Sequence, residues 1–146
     1  MKALLLGWLL IAAPSVFSSD ADAMLGFWLT KKGDTIEIYK SDDTYCGRIT
    51  EIAEPIYEPG DRMAGLPKVD RENPDKSKRQ TPIINLQIMK GFSFNGEDRL
   101  WEGGTIYDPN NGKTYKCKAS FDGEQLRVRG YIGIPALGRT EIWRRK

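Results

Sequence analysis

From residue 35 onward, apolar and polar positions alternate with a period of two. In "TIEIYK" (35–40), Ile36 and Ile38 alternate with Thr35, Glu37 and Tyr39, the spacing of a strand with one buried face. "TYCGRITEI" (44–52) sets Tyr45, Gly47 and Ile49 against Cys46, Arg48 and Thr50. "INLQIMKGFSF" (84–94) sets Leu86 and Ile88 against Gln87 and Met89. "KTYKCKASF" (113–121) sets Tyr115, Cys117, Ala119 and Phe121 against Thr114, Lys116, Lys118 and Ser120. "QLRVRGYIG" (125–133) sets Leu126 and Val128 against Arg127 and Arg129. With "FWLTK" (27–31), "LWEGGTIYD" (100–108) and "RTEIWRR" (139–145), eight strands are predicted.

The connections are short and rich in turn residues: "SDD" (41–43), Asn95-Gly96, "DPNNG" (108–112), Asp122-Gly123 and "IPALG" (134–138). Asn-Gly is a strong hairpin dipeptide, and paired glycines inside a strand, here Gly103 and Gly104, mark a bulge or bend. No amphipathic helical period of useful length follows the N-terminal region. The predicted fold is all-β, an eight-stranded antiparallel up-and-down β-barrel. Closure removes the sheet edges, and an eight-stranded interior either fills with side chains or holds one small ligand. The exception to this regularity is residues 53–82, with five prolines and the polar run "DRENPDKSKRQ" (70–80). A connection of this length is either a lid or binding loop, or an insertion without structure of its own.

Residues 1–23 read as a signal peptide: Lys2, an apolar run from Ala3 to Ala13, then Ala21-Asp22-Ala23 in an A-x-A arrangement. The run is short of the roughly 20 residues a membrane helix needs, and no cysteine follows it for a lipid anchor. The expected mature domain is residues 24–146, exported to the periplasm or secreted, with no transmembrane segment. It carries 21 basic and 18 acidic residues once Lys2, Asp20 and Asp22 are removed. Export reaches an oxidising compartment. Cys46 and Cys117 are then either a disulfide or two separate buried thiols.

The chain has no histidine, which excludes Ser-His-Asp and Cys-His nucleophile systems within it. Two cysteines are too few for a structural zinc cage. The mixed charge lacks the clustered basic stripe of a nucleic-acid binder. Glu102 and Asp108 flank the Gly-Gly strand as an acid/base option, but Asp108 to Gly112 is explained by turn chemistry. Neither a catalytic constellation, a metal site nor a cofactor is expected.

"GFW" (26–28), "CGRI" (46–49), "ENPD" (72–75), "WEGGTIYDPNNGKTYKCK" (101–118) and "LRVRGYIGIPALGRTEIWRR" (126–145) together resemble the domain-of-unknown-function 2147 family of small exported bacterial proteins. The resemblance spans residues 24–146 and implies a lipocalin-like β-barrel; it implies no reaction and no catalytic residues. In such a barrel, Gly26-Phe27-Trp28 on the first strand meets Arg139, Arg144 or Arg145 on the last, unless Trp28 is simply a core residue. The functional expectation is a binding protein for a small apolar or amphipathic ligand. Trp101, Tyr107, Tyr115 and Phe121 would form the wall, with Arg129 as a polar anchor. The alternative is a packed barrel whose basic stretches "DKSKR" (75–79) and "RTEIWRRK" (139–146) contact a partner in the cell envelope.

Overall fold

The computed structural model describes residues 19–146; the first 18 residues of the expected leader lie outside them. Eight antiparallel strands close in sequence order: β1 (Gly26–Leu29), β2 (Thr35–Ser41), β3 (Thr44–Glu51), β4 (Gln87–Asn95), β5 (Leu100–Asp108), β6 (Lys113–Asp122), β7 (Gln125–Tyr131) and β8 (Arg139–Arg145). Closure is by pairing of β1 with β8. The local turn chemistry is mostly as expected. Asp108 Oδ1 accepts from the Asn110 backbone N–H and Gly112 takes φ 70°; Gly123 takes φ 60°. Asn95-Gly96 differs. The positive φ falls on Arg99, and the Asn95 side chain accepts from the N–H groups of Glu97 and Asp98. The connection is therefore a longer turn organised by asparagine rather than a two-residue hairpin.

Bulges shift the alternation, notably in β5 and β4. In β5, Trp101 pairs with Ala119 and Gly104 with Cys117, so three steps separate two residues that point inward, and Gly103 absorbs the extra one at φ 75°. In β4, Met89 pairs with Gly47 and Gln87 with Arg48, which leaves Ile88 as the extra residue. Met89 was expected to face away from Ile88; instead both are buried, because the bulge turns consecutive side chains to the core. Gly104 is required sterically. A Cβ there would lie 2.3 Å from the Phe92 ring, and that ring fills the space a side chain would occupy. The cysteine bridge left open by the sequence is not formed. Both thiols are free and buried. Cys117, between Gly104 and Gly130, shares the inward face, whereas Cys46 shares the alternate face with Arg48. Burial pushes the Cys117 thiol up to about 12.

One end of the barrel is filled. A 3-10 turn, Asp20–Met24, plugs it and is bound by side chains of β1, β2, β3, β5 and β8. The Trp28 indole N–H donates to Met24 O (2.8 Å) and that of Trp101 to Ala21 O (2.9 Å). The Tyr45 hydroxyl donates to the Asp22 carboxylate (2.6 Å), and Arg145 donates to Ala23 O and Leu25 O (2.7 and 3.0 Å). Burial and the Asp22 contact push Tyr45 up to about 12, while the Tyr45 hydroxyl holds Asp22 below the usual carboxylate range. Of the three arginines considered for Trp28, it is Arg145 that lies over the indole, 4.3 Å from its centre. Gly26, at φ 116°, leaves room for the Arg145 guanidinium, which would sit 3.2 Å from a Cβ. Phe121 packs against both Trp28 and Trp101, and Phe94 against Trp101.

The bulge geometry predicts unequal effects at two glycines. Gly104→Ala overpacks Phe92 and should lower unfolding free energy by about 2–3 kcal/mol. Gly96→Ala, whose Cβ would meet only Phe94 at 3.8 Å, should change it by less than about 0.5 kcal/mol. Urea denaturation of the two variants reads the contrast.

Candidate functional site

The opposite end is open. A cavity of about 510 Å³ enters the barrel there. Its wall is aliphatic, with Ile36, Ile49, Ile88, Ile106 and Val128, and the indole of Trp143 closes it below. These residues converge because each lies at the mouth half of its strand on the inward parity: Ile36 pairs with Ile49, and Val128 with Glu141. Charge is confined to Glu141 on the wall and to Lys32, Asp34, Asp108 and Arg139 around the opening. Ile132 and Leu137, on the connection from β7 to β8, also line it and are 65% and 77% exposed. A second space of about 720 Å³ adjoins it and shares Lys32, Asp34, Ile49, Pro109 and Asn110. Its far wall includes Tyr57, Val69, Arg71 and Ile83, from the long connection between β3 and β4.

That connection is ordered. Two isolated bridges, Ile56 to Pro67 and Val69 to Pro82, fold it back on itself. The Tyr57 hydroxyl both donates to Val69 O and accepts from Val69 N–H. Arg71 lies over the Tyr57 ring (4.4 Å) and binds Asp61 (2.8 Å). It is then latched to the barrel. Asp70 is fully buried, and its carboxylate accepts from the Tyr107 hydroxyl (2.6 Å) and from the Asn73 side-chain amide (2.7 Å). The turn between β5 and β6 presses on the same segment: a Cβ at Gly112 would lie 2.0 Å from Glu72 O. Burial, and then the Asp70 contact, push the Tyr107 phenol well above its ordinary value. The connection is thus held beside the mouth at one buried carboxylate.

A bacterial family described as "Uncharacterized protein conserved in bacteria (DUF2147)" matches residues 26–145. The chain belongs to the DUF2147 family. A solved Helicobacter pylori structure, titled "Protein HP1028 from the human pathogen Helicobacter pylori belongs to the lipocalin family", superposes with a TM-score of 0.71. It is 19% identical and the match covers 84% of this chain and 82% of that one. At that identity the likeness speaks for the fold alone, a lipocalin-like barrel. A search of curated proteins returns no match.

In this DUF2147 barrel the four residues expected to form a ligand wall and the expected anchor Arg129 do not lie together. Tyr107 and Tyr115 line the mouth, and the Tyr115 hydroxyl accepts from Asn111. Trp101 and Phe121 lie in the filled end. Arg129 pairs with Thr140 on the outer face, where its guanidinium donates to Pro135 O, Ala136 O and Thr140 Oγ1 and braces the connection from β7 to β8. Glu102 and Asp108 do not meet: Glu102 accepts from Asn95 and Asp108 from Asn110. Sequence reasoning missed the mouth isoleucines, Trp143 and Glu141. The signal was present for the last two, since Glu141 and Trp143 share one parity of β8.

The latch predicts that Tyr107→Phe, which strips the buried Asp70 carboxylate of its hydroxyl donor, destabilises the protein by about 2 kcal/mol. Amide exchange should accelerate in residues 53–82 of the variant and stay slow in β5 and β6. Tyr107 also makes stability depend on alkali. Its folded pKa lies above the ordinary 10.0, so its contribution is complete below about pH 10 and declines as the pH rises beyond it. Denaturation midpoints from pH 8 to 11 should fall less steeply for Tyr107→Phe than for the wild type.

Proposed function

We propose that this DUF2147 protein is an exported carrier of a small apolar or amphipathic molecule, seated in the mouth of its barrel. The observation that carries this reading is the asymmetry of the interior. Tryptophan, phenylalanine and the Asp20–Met24 plug fill one end, while the other keeps a cavity of about 510 Å³ with isoleucine and valine on its wall and polar residues around its opening, within the roughly 300–1,000 Å³ of ligand sites. A packed interior, the basis of the alternative reading, is met at the filled end only. Exposed Ile132 and Leu137 beside the opening extend the apolar surface that a ligand would cover. The lipocalin-like fold is consistent with such a site but does not establish it.

Calorimetric titration of the purified protein with decanol tests this reading. Saturable binding is expected, and Gly130→Leu should abolish it, because the new side chain would enter the mouth beside Ile106 and Tyr115. Absence of binding by a folded wild type, or equal binding by the variant, would count against the carrier.

Export rests on the composition of residues 1–23. Cleavage after Ala23 would remove the oxygens of Ala21, Asp22 and Ala23 that Trp101, Tyr45 and Arg145 bind. We therefore place the processing bond before Asp20, at the serine pair Ser18-Ser19. The intact mass of the exported protein should show a chain that retains Asp20. A chain beginning at Met24 would contradict this placement.

A further inference from the structure

Glu141 is out of place on the cavity wall. Three observations turn its side chain toward the open mouth, where it is solvent-exposed: it pairs with inward-facing Val128, its carboxylate accepts from the indole N–H of buried Trp143 (3.1 Å), and it lines the mouth cavity. The other mouth carboxylates likewise form no ion pair among the described residues, but they lie at the rim and bond to neighbouring amides. Asp34 accepts from the Ala53 N–H, and Asp108 from both the backbone and side-chain amides of Asn110. Among the described residues, Glu141 forms no ion pair, although Arg139 is the next residue on its face of β8 and Lys32 stands at the rim. Its one protein partner is the neutral indole.

While the mouth is open, water solvates the remaining lone pairs. A ligand filling the cavity displaces that water. A purely hydrocarbon occupant would leave the carboxylate desolvated with a single neutral donor, and burying an ionised carboxylate that way is strongly unfavourable. An occupant that brings a positive charge replaces the lost water with a charge-assisted hydrogen bond. We infer that the ligand of this cavity carries a cationic head, such as a protonated amine, which docks on Glu141 while its apolar body lies against the isoleucine wall. The inference rests on the carrier reading and adds the chemical class of the ligand.

The test compares decylammonium, decanol and decanoate, three probes with one chain and three heads, by calorimetry at pH 7 on the wild type, Glu141→Gln and Glu141→Leu. The thermal midpoint of each variant confirms that it is folded. In the wild type, decylammonium should bind about tenfold or more tighter than decanol, as a charge-assisted bond warrants, and decanoate most weakly. Glu141→Gln should lose the ammonium preference, and Glu141→Leu should favour decanol. Equal affinities for the three probes, or tightest binding of decanoate through Arg139 and Lys32, would overturn the role of Glu141 and leave the carrier reading intact. Failure of all three probes to bind a folded wild type would defeat the carrier reading, and this inference with it.

Discussion

The contact of Arg145 with Trp28 and the N-terminal plug is the interaction on which this barrel depends. The seam between β1 and β8 holds only two registered pairs, Trp28 with Arg145 and Leu29 with Arg144, against seven for β2 with β3 and seven for β6 with β7. A seam so short cannot be held by its ladder alone. Arg145 reinforces it from the side: the guanidinium lies on the Trp28 face, a contact worth about 0.5–2 kcal/mol, and also binds two carbonyls of the chain leading into β1. The same residue therefore closes the barrel and fastens the plug. Gly26 follows from it, since a side chain there would crowd the guanidinium.

Filling one end determines what the other can be. Three of the largest side chains, Trp28, Trp101 and Phe92, are spent on the plugged half, where indole N–H groups find the plug carbonyls. The mouth half is lined by isoleucine and valine, which leave open space between them. Trp143 lies at the boundary and forms the floor. The long connection between β3 and β4 then adds a second constraint. Because Asp70 is buried and bonded to Tyr107, the long connection stands at a set position beside the opening instead of closing over it.

Much of this architecture could be read from the alternation of residues, because an up-and-down barrel is built from neighbouring hairpins. Strand number, order and most inward faces followed. Reading failed where one extra residue changed parity, as at Ile88 and Gly103, since period-two counting has no way to anticipate a bulge. The order of the connection from β3 to β4 was not legible either: its hold on the barrel joins Asp70 to Tyr107 across 37 residues, and its local composition is that of a loop. The site was half legible. Aromatic character selected Trp101, Phe121, Tyr107 and Tyr115 together, yet their depth along the barrel separates them, and depth depends on register. Arg129 was drawn in by its charge, although its alternation with Leu126 and Val128 already assigned it to the outer face. Glu141 gives no signal of its own in the sequence, because an acidic residue on a strand is ordinarily solvent-facing and its parity with Trp143 alone turns it to the mouth.

The central claim is that one end of the barrel is solid and the other receives a ligand, and the indole N–H groups report on both ends. Trp28 and Trp101 donate to the plug, while Trp143 donates to Glu141 at the cavity floor. Nitrogen-15 spectra recorded during titration with decanol would follow all three at once. The structure predicts a saturable shift of the Trp143 indole resonance with those of Trp28 and Trp101 unmoved. Shifts at Trp28 and Trp101, or no shift at Trp143 at saturating probe, would contradict it.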